Sequence, residues 1–442
     1  MKILKYKTIS HSLRTILFLS WLAFALSVLL PSAHQASTKS ADDGSSISTK
    51  TAEGRLAVFD DLWETIQDRY YDQNFHGVDW DAMRNTFRPA AVKANDTREF
   101  YEVVRKMIGS LRDAHTRVYS PDEKFDWWSP RFITLGFTIR EVEGSPTVIQ
   151  VERDSQAARA GVRPGDVLTK IDNTPAAEFI AYRLQTFDPP SDGSARFRAF
   201  ANVLGGPAGS SVKVEWKNKD NKTKSAEFTR FWNQRQLGFS SQRQNNIAIV
   251  RIDAFTQAVA LDLIKALPKI VSDAEGVILD LRANGGGDAE AMADVASLFL
   301  EDGTGLGKFS DRSGASFELH TYIKRLWSSA SPIKLPVVVL TSESTSSAAE
   351  IMASALQIKR NAPVVGTGTC GCVLAIRNRH SLPDGGVLDV SEFDYRTAEG
   401  IRLEGRGITP NERTTLKRQD LYAGRDRTVE LAKSLFKNHL RN

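Results

Sequence analysis

Cysteine is almost missing from this chain of 442 residues: only Cys370 and Cys372 occur, one residue apart. Without a widely separated pair the fold cannot rest on a disulfide framework, and two thiols with no others nearby make a poor zinc site. Long apolar runs are also lacking. The longest, residues 16–30, falls short of the roughly 20 residues a membrane-spanning helix needs. Nor is there a strong charge of one sign over the body of the chain. Lys2, Lys5, Lys7 and Arg14 supply four of the five excess positive charges and all lie in the first residues. The near-neutral remainder argues against a nucleic-acid partner or an anionic lipid surface. Finally, no lysine occurs between Lys359 and Lys417, which matters for the choice of a catalytic base.

The basic start followed by that short apolar run reads as an export signal over residues 1–35, cleaved rather than kept as an anchor. The body is therefore expected outside the cytoplasm, in a periplasm, cell envelope or medium, with membrane contact only through an uncleaved leader. Residues 36–52, rich in Ser, Thr, Lys and Asp, read as a flexible tether. Beyond it, a chain 41% hydrophobic and 25% charged is long enough for two or three domains with their own cores.

Phe59, Leu62, Trp63, Ile66 and Tyr70 recur at helical spacing, as do Phe100, Val103, Val104, Met107, Ile108 and Leu111, so residues 53–125 read as a helical cap. His115 stands just past the second of these helices. From 130 to 232 the pattern changes to short β-type runs, separated by Ala157-Ala-Arg-Ala-Gly161 and Val162-Arg-Pro-Gly-Asp166. This stretch resembles a PDZ domain, whose Leu-Gly-Phe turn, here Leu135, Gly136 and Phe137, offers backbone amides to a peptide's terminal carboxylate. Residues 240–442 alternate strand and helix, which predicts an α/β core with parallel strands.

Two signals in that core carry chemistry. The apolar run beginning at Pro336 leads into Ser344-Thr-Ser-Ser-Ala-Ala-Glu350, a helix opening where a serine oxygen meets unpartnered N–H groups at the positive end of a helix. The strand Val277-Ile-Leu-Asp runs into Leu-Arg-Ala-Asn-Gly-Gly-Gly287, a turn whose amides suit an oxyanion. Together they point to acyl transfer. A plain alternative stands beside it: Ser347-Ala-Ala-Glu350 also spells a capping box, and Ser346 is a second serine at the same opening.

These elements, with the closing Gly407-Ile-Thr-Pro410, resemble the carboxy-terminal processing (tail-specific) protease family over nearly the whole body. The resemblance implies a crotonase- or ClpP-like parallel sheet, with a helical cap and an inserted PDZ domain. It implies Ser347 as nucleophile, with the amides of Gly286 or Gly287 and of Ala348 as oxyanion donors, each typically worth about 10²–10³ in rate. No cofactor is implied, and the expected partner is a peptide or protein with a free carboxy-terminal tail.

The common branch of that family uses a lysine base within a Gly-Lys-Gly-x-x-Gln loop. Here the loop reads Gly366-Thr-Gly-Thr-Cys-Gly-Cys-Val-Leu-Ala-Ile376, with Cys372 and Ile376 in place of the lysine and glutamine, so a Ser-Lys pair is excluded. A serine hydroxyl still needs a group to take its proton. Among the histidines of the body, His76, His320, His380 and His115 are candidates. The chain is more similar to the tricorn-type branch, which implies His115 as base and Glu404 as the acid that orients it. That branch carries an auxiliary serine before the histidine, where this chain has Ala114; either Thr116 substitutes or the role is unfilled. With base and nucleophile in different domains, closure of the cap is expected to assemble the site. The opposing reading is a non-catalytic peptide- or lipid-binding relative whose site has decayed.

Overall fold

The computed structural model describes residues 47–123, 131–187, 193–234, 237–322 and 332–439. The leader and most of the tether lie outside them. The tether's last residues belong to the fold: Thr49 is buried, accepts Arg55 Nη1 on its carbonyl at 3.0 Å, and shares a hydroxyl hydrogen bond with Thr97 at 2.9 Å. Thr51 then caps the first helix through the N–H of Gly54.

The core is a six-stranded sheet in the order Phe239–Gln244, Ile247–Ile252, Gly276–Asp280, Val337–Thr341, Val364–Gly366, Glu412–Arg413. The first pair is antiparallel and the other pairings are parallel. Every residue of Gly276–Asp280 and Val337–Thr341 is buried, as expected of parallel strands covered on both faces. Alternation along each strand sorts side chains between the two layers. Val277, Leu279, Val337 and Val339 join the helices Gln257–Val271, Ala289–Ala296 and Ala348–Lys359. Ile278, Val338, Leu340 and Val365 meet Val429, Ala432 and Phe436 of the helix Arg427–His439. That helix packs so closely that a Cβ on Gly276 would stand 2.4 Å from the Phe436 ring.

The cap contains three helices, Ala52–Arg69, Trp80–Lys93 and Thr97–Gly109. It is not separate from the core. Its short strand Arg117–Tyr119 pairs antiparallel with Val387–Asp389, and Leu382, Leu388 and Val390 are buried in the same cluster as Phe59, Leu62, Tyr101 and Met107. Closure of a detached cap is therefore not needed to bring the two parts together, because strand pairing and a shared apolar cluster already do so.

Between cap and core, the strands Phe137–Val142, Ser145–Val151, Val167–Ile171, Ser211–Lys217 and Thr223–Thr229 form a second sheet in that order. Phe137–Val142 is an edge strand. The Leu135-Gly136-Phe137 turn separates this strand from Arg131–Thr134, and the φ of 88° at Gly136 favours glycine.

Candidate active site

Parallel strands send their following loops out at the same edge of a sheet, where open α/β folds place their sites. The strands Gly276–Asp280 and Val337–Thr341 are neighbours, so the glycine turn and the serine turn emerge side by side. Hydroxyls then stitch them together. Ser342 Oγ donates to the carbonyl of Arg282 at 2.6 Å, Thr345 Oγ1 to that of Leu281 at 2.9 Å, and Ser346 Oγ to that of Gly285 at 3.0 Å. This separates the two adjacent serines: Ser346 is a structural tie.

Ser347 sits immediately before the helix Ala348–Lys359 with φ 55° and ψ −128°, a conformation that costs a non-glycine residue about 1–3 kcal/mol. Such strain persists only where neighbours over-determine it. The Ser347 N–H donates to the carbonyl of Cys372 at 2.8 Å and to Glu350 Oε2 at 3.1 Å. The glutamate half of the expected capping box is thus present. Gly286 lies directly opposite: a Cβ there would come within 2.6 Å of Ser347 Cβ and 2.9 Å of the Ser346 carbonyl, and its φ is 97°. Gly286→Ala is accordingly expected to displace the serine and lower kcat by about 10²-fold with a smaller change in KM; steady-state kinetics at wild-type rate would refute that contact's importance.

Of the three expected oxyanion donors, Gly286 is engaged elsewhere, since its N–H donates to Asn284 Oδ1 at 2.8 Å. The N–H groups of Gly287 and Ala348 have no partner among the described residues. Gly287 is shaped by Phe255, whose carbonyl would stand 2.2 Å from a Cβ at that position. Two unpaired amides thus flank the residue that carries the hydroxyl.

Glu404 lies on the other side of this assembly. Its Oε2 accepts the N–H groups of Val373 at 2.6 Å and Leu374 at 3.1 Å, next to the Cys372 carbonyl that holds Ser347. Burial, helped by the negative charge of Asp113, pushes its carboxyl up to about 8 against those two donors. His115 follows a tight turn in which Asp113 Oδ1 accepts the N–H of His115 at 2.7 Å and of Thr116 at 2.6 Å. The preceding helix ends at Gly109, so the turn rather than a helix end presents the imidazole. Asp113 also accepts Ser391 Oγ at 2.9 Å, which fastens the turn to the core. Thr116 Oγ1 donates to Asp113 Oδ2 at 2.7 Å and accepts the N–H of Ser391 at 3.1 Å. It is a tie of the turn, not the substitute serine.

Burial, with a smaller contribution from Arg117, lowers His115 to about 4, so the imidazole is neutral through the physiological range. Among the described residues its Nδ1 is buried without a partner. The expected hydrogen-bonded line from Ser347 through His115 to Glu404 is therefore not formed in this structure, because the glutamate is turned to the 373–374 backbone. The other histidines are engaged elsewhere: His76 with the Leu111 carbonyl at 2.9 Å, His380 with Asp61 at 2.6 Å, and His320 with Glu318 at 3.5 Å. Leu135 and Phe137 point into the apolar core of the second sheet, and the Gly136 N–H donates to Thr134 Oγ1 at 2.9 Å.

One site residue was legible only as a cap. Glu350, with 0% exposure, also accepts the N–H groups of Gly371 at 2.8 Å and Cys372 at 2.9 Å and the hydroxyl of Thr369. Its partners lie far along the chain, so spacing gave no signal for them.

A hydroxyl at a strained strand-to-helix turn beside unpaired amides is the arrangement that acyl transfer to a serine requires. Residues 246–414 match the model of peptidase family S41, and residues 52–109 match that of the Tricorn protease C1 domain. The chloroplastic carboxyl-terminal-processing peptidase 1 of Arabidopsis thaliana is 27% identical over 400 residues, covering 87% of this chain and 76% of that protein. Among solved structures, mature CPAF aligns with a TM-score of 0.64 at 15% identity over 87% of this chain and 97% of that one. The photosystem II D1 C-terminal processing protease aligns with a TM-score of 0.51 at 23% identity over 83% and 94%. At those identities the two structures share the fold. The chain thus carries a peptidase family S41 region and a Tricorn C1 region, and over most of its length it is similar to carboxy-terminal processing proteases.

Proposed function

We propose that this protein is an exported serine endopeptidase that cuts unfolded segments or carboxy-terminal tails through a Ser347–His115–Glu404 mechanism. One observation carries the reading: the strained Ser347 beside the unpaired N–H groups of Gly287 and Ala348. In acylation, His115 takes the hydroxyl proton as Ser347 Oγ bonds to the scissile carbonyl carbon. The resulting oxyanion is held by the two amides, and the imidazolium returns the proton to the departing amine. Ionised Glu404 stabilises that imidazolium once substrate draws it round. Residues 130–232 serve as a PDZ-type module, the edge strand Phe137–Val142 taking up the substrate as an added strand.

The test is labelling by a serine-directed fluorophosphonate combined with hydrolysis of casein. Modification at Ser347 together with cleavage supports the peptidase. Tail binding without either supports the non-catalytic module, which the unpartnered His115 Nδ1 favours.

The raised Glu404 carboxyl gives the reading a pH signature. If the carboxylate is the working form, kcat/KM rises with pH through about 8, and Glu404→Gln flattens that limb at a lower level. The stability sign runs the other way. A carboxyl held up when folded keeps its proton between the unfolded value and about 8, so its contribution is full at acid pH and fades as pH rises through that window. The wild-type Tm should fall across it more steeply than that of Glu404→Gln. A glutamine variant with an unchanged rate profile would remove Glu404 from the mechanism.

A further inference from the structure

Cys370 and Cys372 form a disulfide that the proposed reaction does not use. The turn it closes occupies the stretch where the lysine branch of the family carries its base, and it touches Ser347 directly. We propose that the disulfide-closed turn Cys370–Gly371–Cys372 is the positioning element of Ser347, and that its reduction by an external dithiol slows acylation. The inference rests on Ser347 being the nucleophile.

The geometry is that of a wedge. On one side, the Cys372 carbonyl accepts the Ser347 N–H at 2.8 Å, and the Cys370 N–H donates to the Thr345 carbonyl at 3.0 Å. From below, the buried Glu350 carboxylate holds the N–H groups of Gly371, Cys372 and Ser347 at once. On the far side, the Gly371 carbonyl accepts the Gly405 N–H at 2.8 Å, one residue from Glu404. A Cβ on Gly371 would stand 2.9 Å from the N atoms of Arg406 and Gly407, so the turn fills its slot. The strained serine, its Glu350 anchor and the Glu404 segment thus all bear on a turn closed by one covalent cross-link. Opening that link widens the conformations available to the Cys372 carbonyl, and with it the placement of the Ser347 backbone. A displacement of about 1 Å at a reacting group is enough for about 10²-fold in rate.

The chemistry balances with the reagent alone. Cys372 is 4% exposed, whereas Cys370 is half-buried. A thiolate of the dithiol attacks Cys370 Sγ, the Cys370–Cys372 bond breaks, and Cys372 leaves as a thiolate that takes a proton. The second thiol of the reagent then displaces Cys370 from the mixed disulfide. Two electrons and two protons pass to the protein, and the reagent ends as its own disulfide.

The full chain is labelled with a fluorophosphonate before and after dithiothreitol, with the thiol state read by mass spectrometry and folding by Tm. The expected result is a labelling rate and kcat at least about tenfold lower after reduction, with KM little changed and recovery on reoxidation. The Cys370→Ser, Cys372→Ser double variant should match the reduced protein and ignore dithiothreitol while melting cooperatively. Equal rates in oxidised and reduced protein overturn the proposal, as does a double variant that labels like wild type. Loss of the cooperative melt on reduction also overturns it, because the bond would then support the fold rather than the serine. No labelling in any form strikes the nucleophile reading itself.

Discussion

Ser347→Ala is expected to lower casein hydrolysis by about four orders of magnitude or more, the usual scale for removing a serine nucleophile, and to abolish fluorophosphonate labelling. The fold should hardly notice. The serine's backbone ties, from its N–H to Cys372 and Glu350, survive the substitution, and the neighbouring hydroxyls of Ser342, Thr345 and Ser346 still stitch the two turns. A loss of no more than about 1 kcal/mol is expected, comparable with losing a helix cap. If Ser347 were only a cap, that small stability change would be the whole effect. A variant that cleaves at wild-type rate would return the nucleophile to another residue.

His115→Ala should cost about 10²–10⁴ in kcat, the range for removing a general base, again with the fold intact. The backbone N–H of residue 115, not its ring, is what Asp113 holds, so the turn keeps its shape when the imidazole goes. Because burial keeps the ring neutral down to about pH 4, wild-type activity should survive mild acid as far as this group is concerned and fail only as the ring protonates. The measurement is kcat at several pH values with circular dichroism as the control for folding. Unchanged turnover would move the base elsewhere, and none of His76, His380 or His320 is a ready successor, since each is bonded to a partner away from the serine turn.

Much of the core could be read from pattern because its strands are continuous apolar runs flanked by helical spacing. The strand read from Val277 and the apolar run beginning at Pro336 correspond to Gly276–Asp280 and Val337–Thr341, and the helix opening at Ser344-Thr-Ser-Ser-Ala-Ala-Glu350 leads into Ala348–Lys359. The helix Trp80–Lys93 went unseen because it buries only Trp80 and Ala91 and carries Pro89 in its interior, which leaves a thin stripe. The strand Arg117–Tyr119 has three residues and exists through its partner Val387–Asp389, a tertiary effect with no local trace. In the site, Ser347 and the glycine turn were legible as motifs. Only the family resemblance pointed to Ser347 over Ser346; the local pattern did not separate them, since the tie of Ser346 depends on a hydroxyl reaching Gly285. The same holds for Glu404, whose tie to the 373–374 backbone is a matter of folding rather than spacing.

The pairing of Arg117–Tyr119 with Val387–Asp389, and the shared burial of Leu382, Leu388 and Val390 with the first helices, bear on how this molecule can be taken apart. A fragment cut to the sequence of the peptidase match alone would expose those leucines and that valine to water and leave a strand edge open to self-association. The amino-terminal helices thus act as a built-in half of the catalytic body. Dissection, fusion or circular rearrangement of the chain has to carry both halves together.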